Sequence, residues 1–234
     1  MGVTVSGRRW AEWALVAVAT IGIGIVVVQS LTKQGVTFEM DRGAVVSITN
    51  GDLRAHVTLD DGAHKPHLSY RGESILEFSD WASRIRTKDD QRSLWEARFG
   101  VDVSEEHDEI IYTRSVPGYE LSQVTKLSTD HMSVSYFIAP AGRDEIGPVE
   151  LDIAHYRWYF DEIRTTDWGA ELTYESMPET VWFRQSSGQP IEVQSDENGP
   201  HSFHTEYTLE NVPTGERTLI AREEVWFTPP PSEN

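Results

Sequence analysis

Apolar and polar side chains alternate along most of the chain between residues 44 and 228, and turn residues interrupt the alternation at short intervals. A period of two residues is typical of β-strands with one buried face, whereas a helix repeats its apolar positions every 3.6 residues. The tripeptide Asn50-Gly51-Asp52, which lies between two such segments, is a strong hairpin signal. The pattern predicts an all-β domain folded as a β-sandwich.

The predicted strands differ in how much apolar surface they carry. Val149–Phe160 alternates apolar and acidic residues and then becomes aromatic, which indicates a strand buried on both faces or packed against a partner. Helical character is limited to Asp80–Ile85, where Asp80 is a suitable N-cap for one short turn. The other predicted strands are Val45–Ile48, Leu53–Leu59, Leu94–Val103, Glu109–Ser115, Leu121–Leu127, Met132–Ile138, Thr180–Arg184, Ser202–Leu209 and Thr218–Phe227.

An uncharged, apolar segment lies near the N-terminus, from Trp13 to Leu31. As a helix it would be roughly 28 Å long, close to the ~30 Å hydrocarbon thickness of a bilayer. Arg8-Arg9 precede it, so the positive-inside rule places the N-terminus in the cytoplasm and the main domain outside the membrane. The predicted organisation is a cytoplasmic segment 1–12, a transmembrane helix 13–31, a linker 32–43, an extracytoplasmic β-sandwich 44–228 and a Pro-rich polar tail 229–234.

Two export signals share parts of this pattern. A cleaved signal peptide also begins with basic residues, but its apolar region is about 7–15 residues long and ends at a small-residue cleavage site. No Ala-x-Ala sequence follows Val28. Arg8-Arg9 could begin a twin-arginine signal, yet Glu12 stands where such signals favour apolar or basic residues. An uncleaved anchor is therefore the preferred interpretation.

Small residues lie along one side of the predicted membrane helix. Ala17, Thr20 and Gly24 are spaced at i, i+3 and i+7. Small side chains let a second helix approach closely in lipid. These three residues are candidate contacts with other membrane-protein subunits, and a lone anchor that faces only lipid is the alternative.

Composition limits the partners and the chemistry. The chain has 38 Asp+Glu against 20 Lys+Arg, a net charge of −18 and no Cys. Nucleic-acid binding is excluded because phosphate contacts need clustered basic side chains. The lack of Cys excludes disulfides, thiolate metal sites and a Cys nucleophile. Acidic residues spread along the chain indicate a solvated acidic surface, and a source adapted to high salt would show the same balance.

Two parts of the chain resemble a known family. The segments are Asn50–Ala63 with Leu68–Leu76, and Tyr119–Ile138. Their succession of strand, glycine turn and strand resembles the opening and a later strand pair of galactose-mutarotase-like supersandwich domains. The resemblance implies a supersandwich fold and a carbohydrate ligand. The family's catalytic His-Pro-aromatic signature has no counterpart, since His67 follows Pro66 and precedes Leu68, so no catalytic residue is carried over.

Two histidine pairs share one spacing: His64 with His67, and His201 with His204. On a helix such a pair would share a face and could bind one metal ion, whereas on a strand its members point to opposite faces. A Cu or Zn site would need both pairs to meet, together with a carboxylate such as Asp60 or Glu206. Otherwise the first pair lies in a surface loop and the second alternates along a strand.

Aromatic residues are concentrated in the second half of the domain. Four of them are candidates for stacking on a sugar or anchoring a protein partner, unless they fill the core between the sheets. They are Trp158, Tyr159, Trp168 and Trp182.

No Gly-x-Ser-x-Gly elbow, His-Glu-x-x-His sequence, phosphate-binding loop or dinucleotide fingerprint is present. The sequence therefore favours a membrane-anchored, non-catalytic accessory or structural subunit that presents a β-sandwich to a larger membrane or envelope assembly. The first alternative is a carbohydrate-binding, mutarotase-like module at the cell surface. The second is a metal-dependent enzyme that uses the histidine pairs.

Overall fold

A computed structural model describes residues 29–33, 36–41, 45–58, 66–78, 82–88, 90–94, 98–104, 109–142, 145–156, 160–186 and 189–231. Within these ranges, nineteen strands form two antiparallel sheets. The described residues contain no helix long and apolar enough to cross a membrane. The predicted all-β, sandwich-like architecture is confirmed.

The strands are numbered along the chain and divide into a larger and a smaller sheet. In the larger sheet the structure describes β1 (Gln29–Lys33), β2 (Val36–Asp41), β3 (Val45–Asn50), β4 (Leu53–Thr58), β5 (Pro66–Tyr70), β6 (Glu73–Phe78), β7 (Arg84–Thr87), β8 (Gln91–Ser93), β13 (Val149–Tyr156), β17 (Glu192–Asp196) and β18 (Gly199–Leu209). In the smaller sheet it describes β9 (Arg98–Ser104), β10 (Glu109–Val116), β11 (Tyr119–Leu127), β12 (His131–Pro140), β14 (Glu162–Thr166), β15 (Gly169–Tyr174), β16 (Met177–Gln185) and β19 (Thr218–Trp226).

Strand β13 organises the part of the larger sheet that carries the candidate site. One side of β13 pairs with β18 along its whole length. The other side pairs first with β7 and then, at its end, with β6. Strand β17 pairs with the far side of β18. Strands β7, β13, β18 and β17 therefore lie side by side in this order.

The core lies between the two sheets and follows from the alternation along the strands. In β13 the residues Val149, Leu151 and Ile153 are buried, while Glu150 between them is exposed. Strand β12 of the smaller sheet shows the same alternation over ten residues. Removing these apolar side chains from water stabilises the fold by about 25 cal/mol for each Å² buried.

Two segments that were predicted as helical lie in strands instead. Arg84 and Ile85, predicted at the end of a helical turn, lie in strand β7, because Ile85 alternates with arginines and its backbone pairs with β13. Residues 29–31, predicted as the end of the membrane helix, lie in β1. Strand β1 pairs with β2, which lies inside the predicted linker 32–43. The rest of the predicted helix lies outside the described residues.

Candidate functional site

Strand register places a set of polar side chains on the outer face of the larger sheet. Over residues 149–153 of β13 and 203–207 of β18 the odd-numbered residues point into the core, so the even-numbered residues there point outward. Asp152 lies opposite Arg84 of β7 on one side and Glu206 of β18 on the other. The neighbouring row joins Arg86, Glu150 and Thr208 in the same way.

These rows line an open cleft of about 610 Å³ on the outer face of β7, β13, β18 and β17. This volume lies within the range of about 300–1,000 Å³ that is usual for small-molecule sites. Five charged side chains line the cleft together with His204, Gln91, Gln194 and Thr208. The charged ones are Arg84, Arg86, Glu150, Asp152 and Glu206.

Several of the side chains in the cleft are held by one another. Arg86 donates from Nη1 to Glu150 Oε2 at 2.6 Å and from Nε to Gln91 Oε1 at 3.3 Å. Ser202 Oγ donates to Gln194 Oε1 at 3.1 Å, which fixes the amide of Gln194 at the rim. These contacts orient part of the cleft before a ligand binds, which lowers the entropy lost on binding.

A histidine–aspartate pair lies at the centre of the cleft. His204 Nδ1 is 2.9 Å from Asp152 Oδ1. The hydrogen bond that His204 donates to Asp152 raises the pKa of His204 above its ordinary value of 6.5, against an opposing contribution from burial. The negative charges of Glu192 and Glu206 add smaller upward shifts to the pKa. The pair is therefore ionic over a wider pH range than an isolated histidine would allow.

The raised pKa gives a first test. We expect the His204 ring to titrate above pH 6.5 in NMR spectra of the full-length protein, and to titrate closer to 6.5 in the Asp152→Asn variant. Because the pKa is raised in the folded state, the pair stabilises the fold fully below pH 6.5, and this contribution is lost as the pH rises through the raised value. A His204→Ala spectrum assigns the resonance. A His204 resonance that titrates at or below 6.5 would contradict the pairing.

Other polar groups in the cleft are not engaged. The side chains of Arg84 and Glu206 make no hydrogen bond or ion pair with another described residue, although both line the cleft. The amide nitrogen of Gln194 and the Thr208 hydroxyl have no hydrogen-bond partner among these residues either. The cleft thus presents hydrogen-bond donors and acceptors together, available to a ligand.

The inner faces of β13 and β18 carry a second polar group directly beneath the cleft. Thr205 Oγ1 donates to Glu223 Oε1 at 2.6 Å, and the Tyr207 hydroxyl donates to the same oxygen at 3.0 Å. His155 Nε2 lies 3.1 Å from this oxygen. Glu223 belongs to β19, so the network joins the two sheets. All four residues are buried in the core.

Burial determines the protonation state of the tyrosine in this network. It raises the pKa of Tyr207 well above its ordinary value of 10, and the charge of Glu223 raises the pKa further. The hydroxyl of Tyr207 therefore stays protonated and donates a hydrogen bond to the side chain of Glu223. Three rings pack around His155, with centroids 4.7–4.9 Å from it. They belong to Phe78, Phe183 and Phe203.

The structure does not bring the described histidines of the two predicted pairs together. His67 lies on β5, three strands from His204 on β18, which corresponds to roughly 14 Å across a sheet. His201 packs its ring edge-on against Tyr156 of β13, whereas His204 is hydrogen-bonded to Asp152. The described residues include no group of three or more His, Asp or Glu placed to hold a metal ion. His64 lies outside them.

The described aromatic candidates lie on the other sheet. Trp182 is half-buried in β16, opposite Trp226 of β19, and the His131 ring stacks on Trp226 with centroids 3.9 Å apart. Trp168 lies in the turn between β14 and β15. The remaining candidates, both aromatic and in the membrane helix, lie outside the described residues: Trp158, Tyr159, Ala17, Thr20 and Gly24.

Sequence reasoning singled out two residues of the cleft, His204 and Glu206, and assigned both to a metal site. Arg84 and Arg86 were missed because β7 is only four residues long. The alternation Arg-Ile-Arg-Thr was the available signal. Gln194 was missed because every residue of β17 is exposed or half-buried, so no apolar face marks this strand.

Comparison with known proteins leaves the fold and the cleft as the basis for assigning a function. The chain matches no model of a known protein family, and a search of curated proteins also finds no match.

Proposed function

We propose that the protein binds carbohydrate in the cleft on the outer face of its larger sheet, as a module displayed outside the cytoplasmic membrane. The observation that carries the proposal is the set of unengaged donors and acceptors in an open cleft. Arg84 and Gln194 offer N–H groups, Glu206 offers carboxylate oxygens, and Thr208 offers a hydroxyl.

Sugar hydroxyls both donate and accept hydrogen bonds, so a site for them needs both kinds of group at close range. Planar carboxylate, amide and guanidinium groups satisfy this need with fixed geometry. The side chains that the cleft exposes are mainly of these types, whereas the buried Tyr207 presents no open ring face. The ligand is therefore bound mainly by hydrogen bonds.

Two sequence features agree with the proposal. The resemblance to galactose-mutarotase-like supersandwich domains implies a carbohydrate ligand. The part of the apolar segment that precedes β1, with Arg8-Arg9 before it, would hold the domain outside the membrane. An accessory-subunit function would use the Ala17, Thr20 and Gly24 face of that segment, and it stays a prediction.

The proposal is tested by screening the full-length protein, purified in mild detergent, against a panel of oligosaccharides. The strongest ligand is then titrated by calorimetry. We expect Gln194→Ala and Thr208→Ala each to weaken binding by about 3- to 10-fold, the effect of losing one hydrogen bond. The matched control is Thr165→Ala, an exposed strand threonine on the smaller sheet.

If the cleft variants bind the ligand as tightly as the unaltered protein does, the ligand binds elsewhere on the protein. Binding to no member of the panel would overturn the carbohydrate assignment.

A further inference from the structure

The two arginines of β7 stand in equivalent positions but have different partners. Each lies opposite an acidic residue of β13: Arg86 opposite Glu150, and Arg84 opposite Asp152. Directly opposed side chains on one face have Cβ atoms about 5 Å apart, close enough for an ion pair. Arg86 forms that pair at 2.6 Å, whereas Arg84 forms none with any described residue.

The reason for this difference is visible on the other side of Asp152. Its carboxylate is 2.9 Å from His204 Nδ1 and is thereby turned toward β18. Arg84, which lies opposite Asp152, therefore keeps its guanidinium unpaired in the cleft. An exposed guanidinium is a planar fork of donors that matches a carboxylate through two parallel hydrogen bonds.

From this arrangement we infer that the ligand is an acidic sugar whose carboxylate binds Arg84, and that His204 keeps this arginine available by holding Asp152. The inference rests on the proposed function and names the class of carbohydrate. His204 acts through Asp152 as a positioning residue.

The charges around the pair permit an anion at this point. Glu150 neutralises Arg86, and protonated His204 neutralises Asp152. Arg84 on β7 and Glu206 on β18 then remain as one unpaired cation and one unpaired anion on opposite sides of Asp152, so an acidic group binds at the Arg84 side of the cleft. At about 0.15 M salt, charges of the chain that lie more than ~8 Å from a bound anion are largely screened. The charged and titratable groups that face His204 or line the cleft are Arg84, Arg86, Glu150, Asp152, Glu192 and Glu206.

The test compares two probes: a uronic-acid oligosaccharide and the same oligosaccharide with each carboxylate reduced to a primary alcohol. The full-length protein should bind the acidic probe more tightly. We expect Arg84→Gln to weaken binding of the acidic probe by about 10- to 100-fold, as for loss of a charge-assisted pair, and to change binding of the reduced probe far less. Arg164→Gln, on the smaller sheet, is the matched control.

The role of His204 is tested separately. In His204→Ala the Asp152 carboxylate is free to pair with Arg84, so binding of the acidic probe should fall although the arginine is intact. Adding Asp152→Asn removes the competitor and should restore that binding. In the unaltered protein, affinity for the acidic probe should fall as the pH rises above the His204 titration, and Asp152→Asn should remove this dependence.

The outcomes separate the two levels of the proposal. Equal affinity for the acidic and the reduced probe, with both weakened by Gln194→Ala, overturns the inference and leaves carbohydrate binding standing. A double variant that fails to restore binding overturns the positioning role of His204. The absence of binding to either probe and to the whole oligosaccharide panel overturns both proposals.

Discussion

Replacing Glu223 with alanine will destabilise the folded protein by about 3–5 kcal/mol, the usual effect of removing one member of a buried polar pair. Glu223 Oε1 accepts hydrogen bonds from Thr205 and Tyr207 and lies 3.1 Å from His155 Nε2. Without this oxygen, three buried polar groups lose their shared partner inside an aromatic core. Each group left unsatisfied costs about 1–3 kcal/mol, and the alanine also leaves a cavity.

The measurement is urea unfolding followed by the circular dichroism of the aromatic residues. Glu206→Ala is the matched control, because it removes an exposed glutamate from β18 of the facing sheet and should change the free energy of unfolding by at most about 0.5 kcal/mol. A variant that replaces His155, Thr205, Tyr207 and Glu223 together with apolar residues should recover much of the loss. An E223A midpoint equal to that of the control would show that the network does not stabilise the fold.

Gly169→Ala is the second substitution for which we expect a large effect. Gly169 begins β15 and pairs with Arg184 of β16. A Cβ atom at residue 169 would meet the Phe183 carbonyl oxygen and neighbouring backbone atoms at distances that the folded chain does not allow. Because the obstacle is backbone, no side-chain rotation relieves it. We expect a loss of about 3 kcal/mol, at the upper end for overpacked sites.

Gly142→Ala is the control for this experiment, since a Cβ atom there meets nothing within 4 Å. Hydrogen exchange measured by mass spectrometry locates the effect. Exchange should rise first in the β14–β15 hairpin, because β15 joins β14 to the rest of the sheet. Unchanged exchange and an unchanged unfolding midpoint in G169A would mean that the strands separate enough to admit the methyl group without loss.

The sequence predicts strands well where one face is buried and the other is solvated. Strand β12 is an example, because its alternation of apolar and polar residues persists over ten positions and matches its burial. Strands β14 and β17 lack that contrast, since their residues are exposed or half-buried on both faces. Their position at sheet edges removes the apolar signal on which periodicity depends.

The cleft was less predictable than the sheets. Asp152 and His204 both lie on predicted strands, but their hydrogen bond depends on the pairing of strands that are far apart in the chain. No local pattern fixes this register. The His201/His204 spacing suggested metal binding, whereas the strand directs one ring toward Tyr156 and the other toward Asp152. The chemistry of the cleft depends on which strands pair and in which register, and the alternation of residues along one strand does not specify either.

The division of β13 and β18 into an inner and an outer face also bears on how such a domain could evolve or be engineered. Glu150 and Asp152 of β13 and His204, Glu206 and Thr208 of β18 line the cleft, and the buried residues between them hold the sheets together. Outward positions such as Thr208 and Glu206 can therefore be randomised in a display library while each substitution changes stability by only about 0.5 kcal/mol. A few substitutions in the cleft can therefore change which ligand is bound, and the protein stays folded after each of them.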